Sequence, residues 1–592
     1  MKQFFKFMFA SCLGSALMLV LVFFILIASI GSSLGSSKDT VTVTPKSVLY
    51  MNLNYQIPER SNEDDLTAAL SSLSMSLEQT DMAGMNDILA NIDAAATDPN
   101  IAGIFLELSS IGTSSANIEE IRDRLIKFRE SGKFVISYAE NMAQNAYYLA
   151  TASDEIYINP QGMLDIHGMA SQVMFYKHLF EKLDIEMQIV RGPNNKFKSA
   201  VEPYFLDKMS DANREQYEKL LGSVWFEIVS DISTARGVSI EKINELADNL
   251  SLTFDADIAL KEGFVNGLLY RDQIIDKIKE KADIAKKDKI EILSNSQYAS
   301  ARPAKKSQSD KVAVIYASGQ IYDGEGDNDK IGSVTLSKAI REAREDSKVK
   351  AIVMRVNSPG GSALASEVIR REVELAKQEK PFIISMGNYA ASGGYWISSE
   401  GDRIFADATT LTGSIGVFGT FPNAKKFLND KVGLTFDGVK TNENADFGTI
   451  TQPLTPYQMS MLQKYVGNTY NDFTALVART RGLRQSYVDS IGQGRVWSGV
   501  DALELGLVDE IGGIDKAIEY AAQQANLTDY SIKDYPKQKD LMQQLLEGNI
   551  QEPYTKSLLQ NKLGGNYSYI KALESIESLD GIQALMPFSV IQ

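Results

Sequence analysis

Two tandem α/β domains with largely parallel sheets, preceded by one membrane-spanning helix, are what this chain predicts. Three observations predict the domains. The first is an internal duplication. The segment Met142-Ala143-Gln144-Asn145-Ala146-Tyr147-Tyr148, then Asp154-Glu155-Ile156-Tyr157, is matched 248 positions later by Ala390-Ala391-Ser392-Gly393-Gly394-Tyr395-Trp396, then Asp402-Arg403-Ile404-Phe405. The second is the rhythm inside each copy: strand, glycine-containing turn, helix, strand, the pattern of parallel sheets covered by helices. The third is size, since 592 residues exceed what one hydrophobic core usually serves. A composition of 44% hydrophobic and 23% charged residues fits globular domains and argues against wholesale disorder.

The elements follow in chain order. Residues 1–7 carry Lys2 and Lys6, and residues 7–37 carry no charge at all. Within that stretch 8–31 is apolar for longer than the roughly 20 residues a spanning helix needs, and longer than the h-region of a cleaved signal peptide. The two lysines keep the N-terminus in the cytoplasm and send the rest of the chain across the membrane. The first copy covers 46–294, with strands at 47–51, 101–108 and 134–138 and a helix at 118–129. A polar stretch with Pro303 and no apolar periodicity, 295–310, reads as a linker. The second copy covers 311–535, with strands at 312–316, 351–356 and 381–386 and a helix at 365–378. Residues 536–592 form a tail with some helix.

Composition narrows the function classes. A net charge of −16 without a long basic block argues against a nucleic-acid partner. The single cysteine, Cys12, lies inside the apolar segment, so the exported part has no disulfide, thiolate nucleophile or thiolate metal site. Only two histidines, His167 and His178, are present, which excludes most His-rich metal sites. No metal or cofactor is expected.

Two glycine-rich turns in the second copy sit at the carboxyl ends of successive strands, where catalytic groups of such sheets collect. Asn357-Ser358-Pro359-Gly360-Gly361-Ser362 offers backbone N–H groups near a helix start, suited to a developing oxyanion. Ala390-Ala391-Ser392-Gly393-Gly394 puts a serine among small residues on a strand-to-helix turn, the geometry of a nucleophile elbow. Read alone, each is an ordinary tight turn or helix cap; the pair points to catalysis. The matched first-copy positions are Gln144 and the poorer turn Ser109-Ser110-Ile111-Gly112-Thr113. A nucleophilic serine needs a base. At the common offset His167 and His178 face Ile415 and Lys426, and neither has a carboxylate partner apparent in the sequence. A lysine kept neutral by burial is the other option. Lys196, Lys198 and Lys440 are the candidates, and spacing does not choose among them.

Lys198-Ser199-Ala200-Val201-Glu202-Pro203, Asn357-Ser358-Pro359-Gly360-Gly361, Ala390-Ala391-Ser392-Gly393-Gly394-Tyr395-Trp396 and Leu411-Thr412-Gly413-Ser414-Ile415-Gly416 together resemble the long form of the signal peptide peptidase A (protease IV) family. The resemblance covers the anchor, both copies and the linker. It implies Ser392 as nucleophile and Lys198, rather than Lys196, as general base, with Ser414 orienting the lysine. Gly361 and Gly393 would supply the oxyanion N–H groups. It further implies a fold similar to the crotonase and Clp protease superfamily. The implied setting is a bowl-shaped homotetramer on the bacterial inner membrane, facing the periplasm and acting on signal peptides left after preprotein cleavage. Two other readings stand beside it: a catalytically inactive membrane scaffold, and an acyl-CoA enzyme on the same superfold. An exported catalytic region argues against the second, since coenzyme A is cytoplasmic.

Overall fold

The structure, a computed structural model, describes residues 41–61, 82–302, 308–538, 581–587 and 590–591, with the single positions 14 and 18. The expected anchor at 8–31 lies outside the described residues except for those two positions. Among the described residues no helix is long and apolar enough to cross a membrane.

Each copy is built on its own parallel sheet. In the first, the strands run in the order Ile292–Leu293, Ser47–Asn52, Ile101–Glu107, Phe134–Ala139, Glu155–Ile158 and Gly267–Leu268, all parallel. In the second, Ser531–Tyr535, Lys311–Ser318, Val349–Ser358 and Phe382–Ala391 repeat that order in parallel. Beyond Phe382–Ala391 the sheet forks. One branch takes Arg403–Ala406 and Glu510–Ile511; the other takes Leu411–Gly413 and the antiparallel Val496–Ser498. Runs such as Val312-Ala313-Val314-Ile315 are buried on both faces, as central parallel strands require.

The duplication extends to single hydrogen bonds. Tyr147 donates its hydroxyl to Phe264 O, and Tyr395 does the same to Leu507 O, both at 2.8 Å. Asp154 accepts from Val135 N at 2.8 Å, and Asp402 from Phe382 N at 2.9 Å. Each copy carries one 26-residue helix, Asp211–Arg236 and Pro456–Arg481, started by a Ser210 or Thr455 N-cap and ended by Gly237 or Gly482 in the left-handed region.

One stretch differs from the sequence reading. The polar segment expected to be linker from 295 opens instead with a helix, Asn295–Ala301. Ser294 and Gln297 form its capping box, and Asn295 and Tyr298 bury it against the first copy through Asn91 and Asp98. Within the tail, Gly581–Leu585 and Val590–Ile591 are strands, and residues 539–580 of the tail, where some helix was expected, lie outside the described residues.

The copies meet over a mixed interface. The first copy's core includes Ala391, Leu411 and Val496 of the second. Arg355, 1% exposed, lies between Glu59 at 2.8 Å and Glu120 at 2.5 Å. Glu119 reaches across to accept from Ala408 N at 3.0 Å and Thr409 N at 3.2 Å. A third sheet binds the copies together, in the order Lys330–Gly332, Gln320–Tyr322, Gly360–Ser362, Gly581–Leu585, Phe418–Asn423 and Glu186–Arg191. Its last strand is from the first copy and pairs antiparallel with Phe418–Asn423 of the second.

Candidate active site

Ser392 follows the strand Phe382–Ala391 and immediately precedes the helix Gly393–Ser398. Turning from strand to helix within one residue sets Ser392 at φ 57°, ψ −111°, a strained conformation for a residue with a side chain. The turn is held by Ser392 N donating to Gly413 O and Trp396 N donating to Ser392 O, both at 2.8 Å.

Lys198 arrives from the other copy. The strand Glu186–Arg191 delivers the chain to the second copy, and the loop after it is pinned there. Phe197 N donates to Gln493 O at 3.0 Å, Asn194 to Asp489 at 2.6 Å, and the Arg495 guanidinium lies 4.5 Å from the centre of the Phe197 ring. The lysine stem then passes over two glycines. A Cβ on Gly494 (φ 81°) would overlap the stem, and one on Gly416 would stand 3.2 Å from its Cδ.

Nζ of Lys198 lies 2.8 Å from Ser392 Oγ, 3.0 Å from Ser414 Oγ and 3.1 Å from Ser414 O. Ser414, also at positive φ (50°), has its hydroxyl 3.2 Å from Gly494 O. These contacts suit a neutral amine. Its lone pair accepts from the Ser392 hydroxyl, its two N–H groups donate to Ser414, and Ser414 donates onward to Gly494. Lys198, Ser392 and Ser414 are all 0% exposed. Burial holds the Lys198 amine well below the ordinary lysine range, and no carboxylate opposes it.

Gly361 and Gly393 lie close together near Ser392. A Cβ on Gly393 would stand 3.1 Å from Gly361 N, and a Cβ on Gly361 would overlap the Ile321 backbone. Backbone can approach this closely only where there is no side chain.

The other sequence candidates lie elsewhere. Lys196 is exposed, 3.5 Å from Glu215, and Lys440 is exposed and bonded to Asp446 at 2.9 Å. The sequence pointed to no carboxylate partner for either histidine; the structure gives His167 Asp165 at 3.0 Å and His178 Glu181 at 2.9 Å, all on the surface. Gly416, Gly494 and Gln216 were not singled out from the sequence. Gln216 accepts from Val496 N at 2.8 Å and donates to Ser199 Oγ at 3.2 Å, tying the lysine turn to the second copy. The local signals for them were the Gly-x-Gly at 492–494 and, for Gly416, its place at the end of the Leu411–Gly416 segment. Among the described residues no cluster of His, Cys, Asp or Glu is arranged to hold a metal ion.

Comparison with known proteins places matches on both copies. The model of peptidase family S49 matches residues 127–285 and 374–528. Protease 4 of Haemophilus influenzae is 35% identical over 524 residues, 86% of this chain and 84% of that protein. Protease 4 of Salmonella typhi is 34% identical over 553 residues, 90% and 88% of the two chains. A putative signal peptide peptidase SppA of Enterococcus faecium is 34% identical over 197 residues, 33% of this chain and 57% of that protein.

Proposed function

The chain belongs to peptidase family S49, and on that premise we propose that it is a membrane-anchored serine endopeptidase in which a Ser392/Lys198 dyad hydrolyses cleaved signal peptides. The observation that carries this reading is the 2.8 Å approach of a buried lysine amine from one copy to a strained serine hydroxyl of the other. Neutral Lys198 takes the Ser392 proton as Oγ attacks a peptide carbonyl. Gly361 N–H and Gly393 N–H stabilise the oxyanion, a contribution on the order of 10²–10³ in rate for each such donor elsewhere. Lys198 then passes the proton to the leaving amine, and water releases the acyl group from Ser392. Ser414 keeps the lysine aimed throughout.

The substrate class rests on the family likeness and on the name of the Enterococcus relative. The anchor at 8–31, the periplasmic placement of both copies and the homotetramer belong to the same reading; sedimentation in detergent tests the assembly. The dyad is tested by incubating the full chain with a synthetic signal peptide. The wild type should cleave it, and Ser392→Ala should lower kcat/KM by on the order of 10⁴ or more. Undiminished hydrolysis by Ser392→Ala would sink the assignment.

A further inference from the structure

The strand that carries the nucleophile is irregular just before it reaches Ser392. Phe382–Ala391 pairs with Val349–Ser358 residue for residue, from Ile352 opposite Phe382 to Val356 opposite Met386, and pairing resumes with Ser358 opposite Ala390. Gly387, Asn388 and Tyr389 therefore face the single residue Asn357. A bulge of this kind re-aims the side chains that follow it, and Ser392 comes three residues after Tyr389.

The first copy holds this bulge in place. Glu59, a buried residue, lies on a loop tied to its own copy: Ile57 N donates to Gly112 O at 3.1 Å, and Met85 N donates to Pro58 O at 2.9 Å. Its Oε2 accepts from Arg355 Nε at 2.8 Å, and its Oε1 accepts from Asn357 Nδ2 at 2.9 Å and from Asn117 Nδ2 at 3.1 Å. An amide whose nitrogen is committed to a carboxylate presents its oxygen on the other side. Asn357 Oδ1 accordingly accepts from Tyr389 N at 3.1 Å. The carboxylate also lies against the bulge itself, since a Cβ on Gly387 would stand 3.0 Å from Glu59 Oε1. Asn388 adds a second tie, its Oδ1 accepting from Asn117 N at 3.2 Å and from the Ser114 hydroxyl. Asn357 at the same time begins the turn that leads to Gly361. That turn touches the serine turn, because a Cβ on Gly394 would overlap Ser358 O.

We infer that Glu59 is a positioning residue for the nucleophile and oxyanion side of the site, acting through the Asn357 amide; this rests on the dyad reading above. The first copy then supplies more than the base. One of its carboxylates orients the amide that spaces the serine turn from the glycine turn. With that spacing fixed, the Ser392 hydroxyl and the Gly361 and Gly393 N–H groups converge on one carbonyl.

Exchanging donor and acceptor in the full chain tests this, with kcat and KM measured on a synthetic signal peptide across pH. Asn357→Asp keeps the size but sets a second carboxylate against Glu59, and should lower kcat by on the order of 10–100-fold with KM within about twofold. Adding Glu59→Gln rebuilds both bonds with the charge moved one partner along: the new carboxamide donates to the carboxylate at 357 and accepts from Arg355 Nε. Asn117 Nδ2 keeps its other acceptor, Thr113 Oγ1 at 3.1 Å. The double variant should recover kcat to within about fivefold of the wild type. Asn357→Ala, which removes the amide without adding charge, should show the same loss as Asn357→Asp, and stands in for it if that variant does not fold. In all of them the pH at which Lys198 becomes active should stay in place, because a loosened copy interface, not a mis-aimed serine turn, would let water reach the lysine. An undiminished kcat in either single variant, a double variant no better than Asn357→Asp, or a displaced pH limb would overturn the positioning role while Ser392-dependent cleavage stands. Undiminished hydrolysis by Ser392→Ala would overturn the dyad reading itself, and the positioning role with it.

Discussion

The first copy starts its short helix one residue earlier in the common register, capped by Ala143 at φ −70°, ψ 160° with Gln144 already in the helix, whereas the second copy caps its helix with Ser392, the position of Gln144, at φ 57°, ψ −111°. The difference continues into the side chains. In the first copy Gln144 accepts from His167 N at 3.1 Å and Gly168 N at 2.9 Å, and so stitches its turn to the next loop. Asn54 accepts from Ser109 N at 2.6 Å and Ser110 N at 3.1 Å, so the N–H groups of that turn are already satisfied. In the second copy Ser392 stands at the position of Gln144, and Gly360 and Gly361 at those of Gly112 and Thr113. The two copies keep the same scaffold bonds, so the first did not lose nucleophilic capacity by losing its fold. Its donors are satisfied by amide side chains and its turn is relaxed. At the site itself the second copy keeps Ser392 and Ser414 at positive φ, strain of the kind that collects where chemistry is done.

That contrast can be broken most forcefully from the base. Lys198→Ala should lower kcat/KM by on the order of 10³–10⁴, measured on a synthetic signal peptide. In the wild type only the neutral amine is active, so the rate should rise with pH through the depressed Lys198 pKa and then level off. The stability consequence has the same sign. Between that depressed pKa and the ordinary 10.5 the unfolded chain binds the extra proton, so the fold gains stability as pH rises across the window. Lys198→Met should remove the gain in denaturant titrations across pH. Ser414→Ala removes one Nζ partner and should cost about 10–100-fold in kcat, with the pH limb displaced. At the interface, Arg355→Met leaves Glu59 and Glu120 buried without their cation and should cost roughly 3–5 kcal/mol in urea unfolding. The smallest effect sharpens the comparison from the other side. Gln144→Ser should leave peptide hydrolysis within about twofold, because the first copy has neither the strained turn nor a facing lysine.

Much of this was legible before any coordinates. The duplication, the strand–turn–helix rhythm and the two glycine turns follow from local pattern, and the strands at 134–138 and 312–316 lie within observed strands. The choice between Lys196 and Lys198 is not local. The two sit in one turn, and it is the second copy, through the loop at 489–496 together with Ser392, Ser414 and Gly416, that buries one and leaves the other wet. The helix at 295–301 did have a signal, the Ser294–Gln297 capping box, hidden by a polar composition that reads as linker. The tail strand had almost none, because its pairing partners lie more than 150 residues away in sequence.

The three ingredients of the site also appear in a fixed order in time. The base is made first, at 198, the nucleophile next, at 392, and the strand that covers both last, from 581. With the last clamp on the lysine loop at 496, roughly 85 residues remain before the cover exists. At a synthesis rate of about 5–20 residues per second that is an interval on the order of ten seconds. A nascent chain therefore carries Lys198 and Ser392 without that strand for only about that interval.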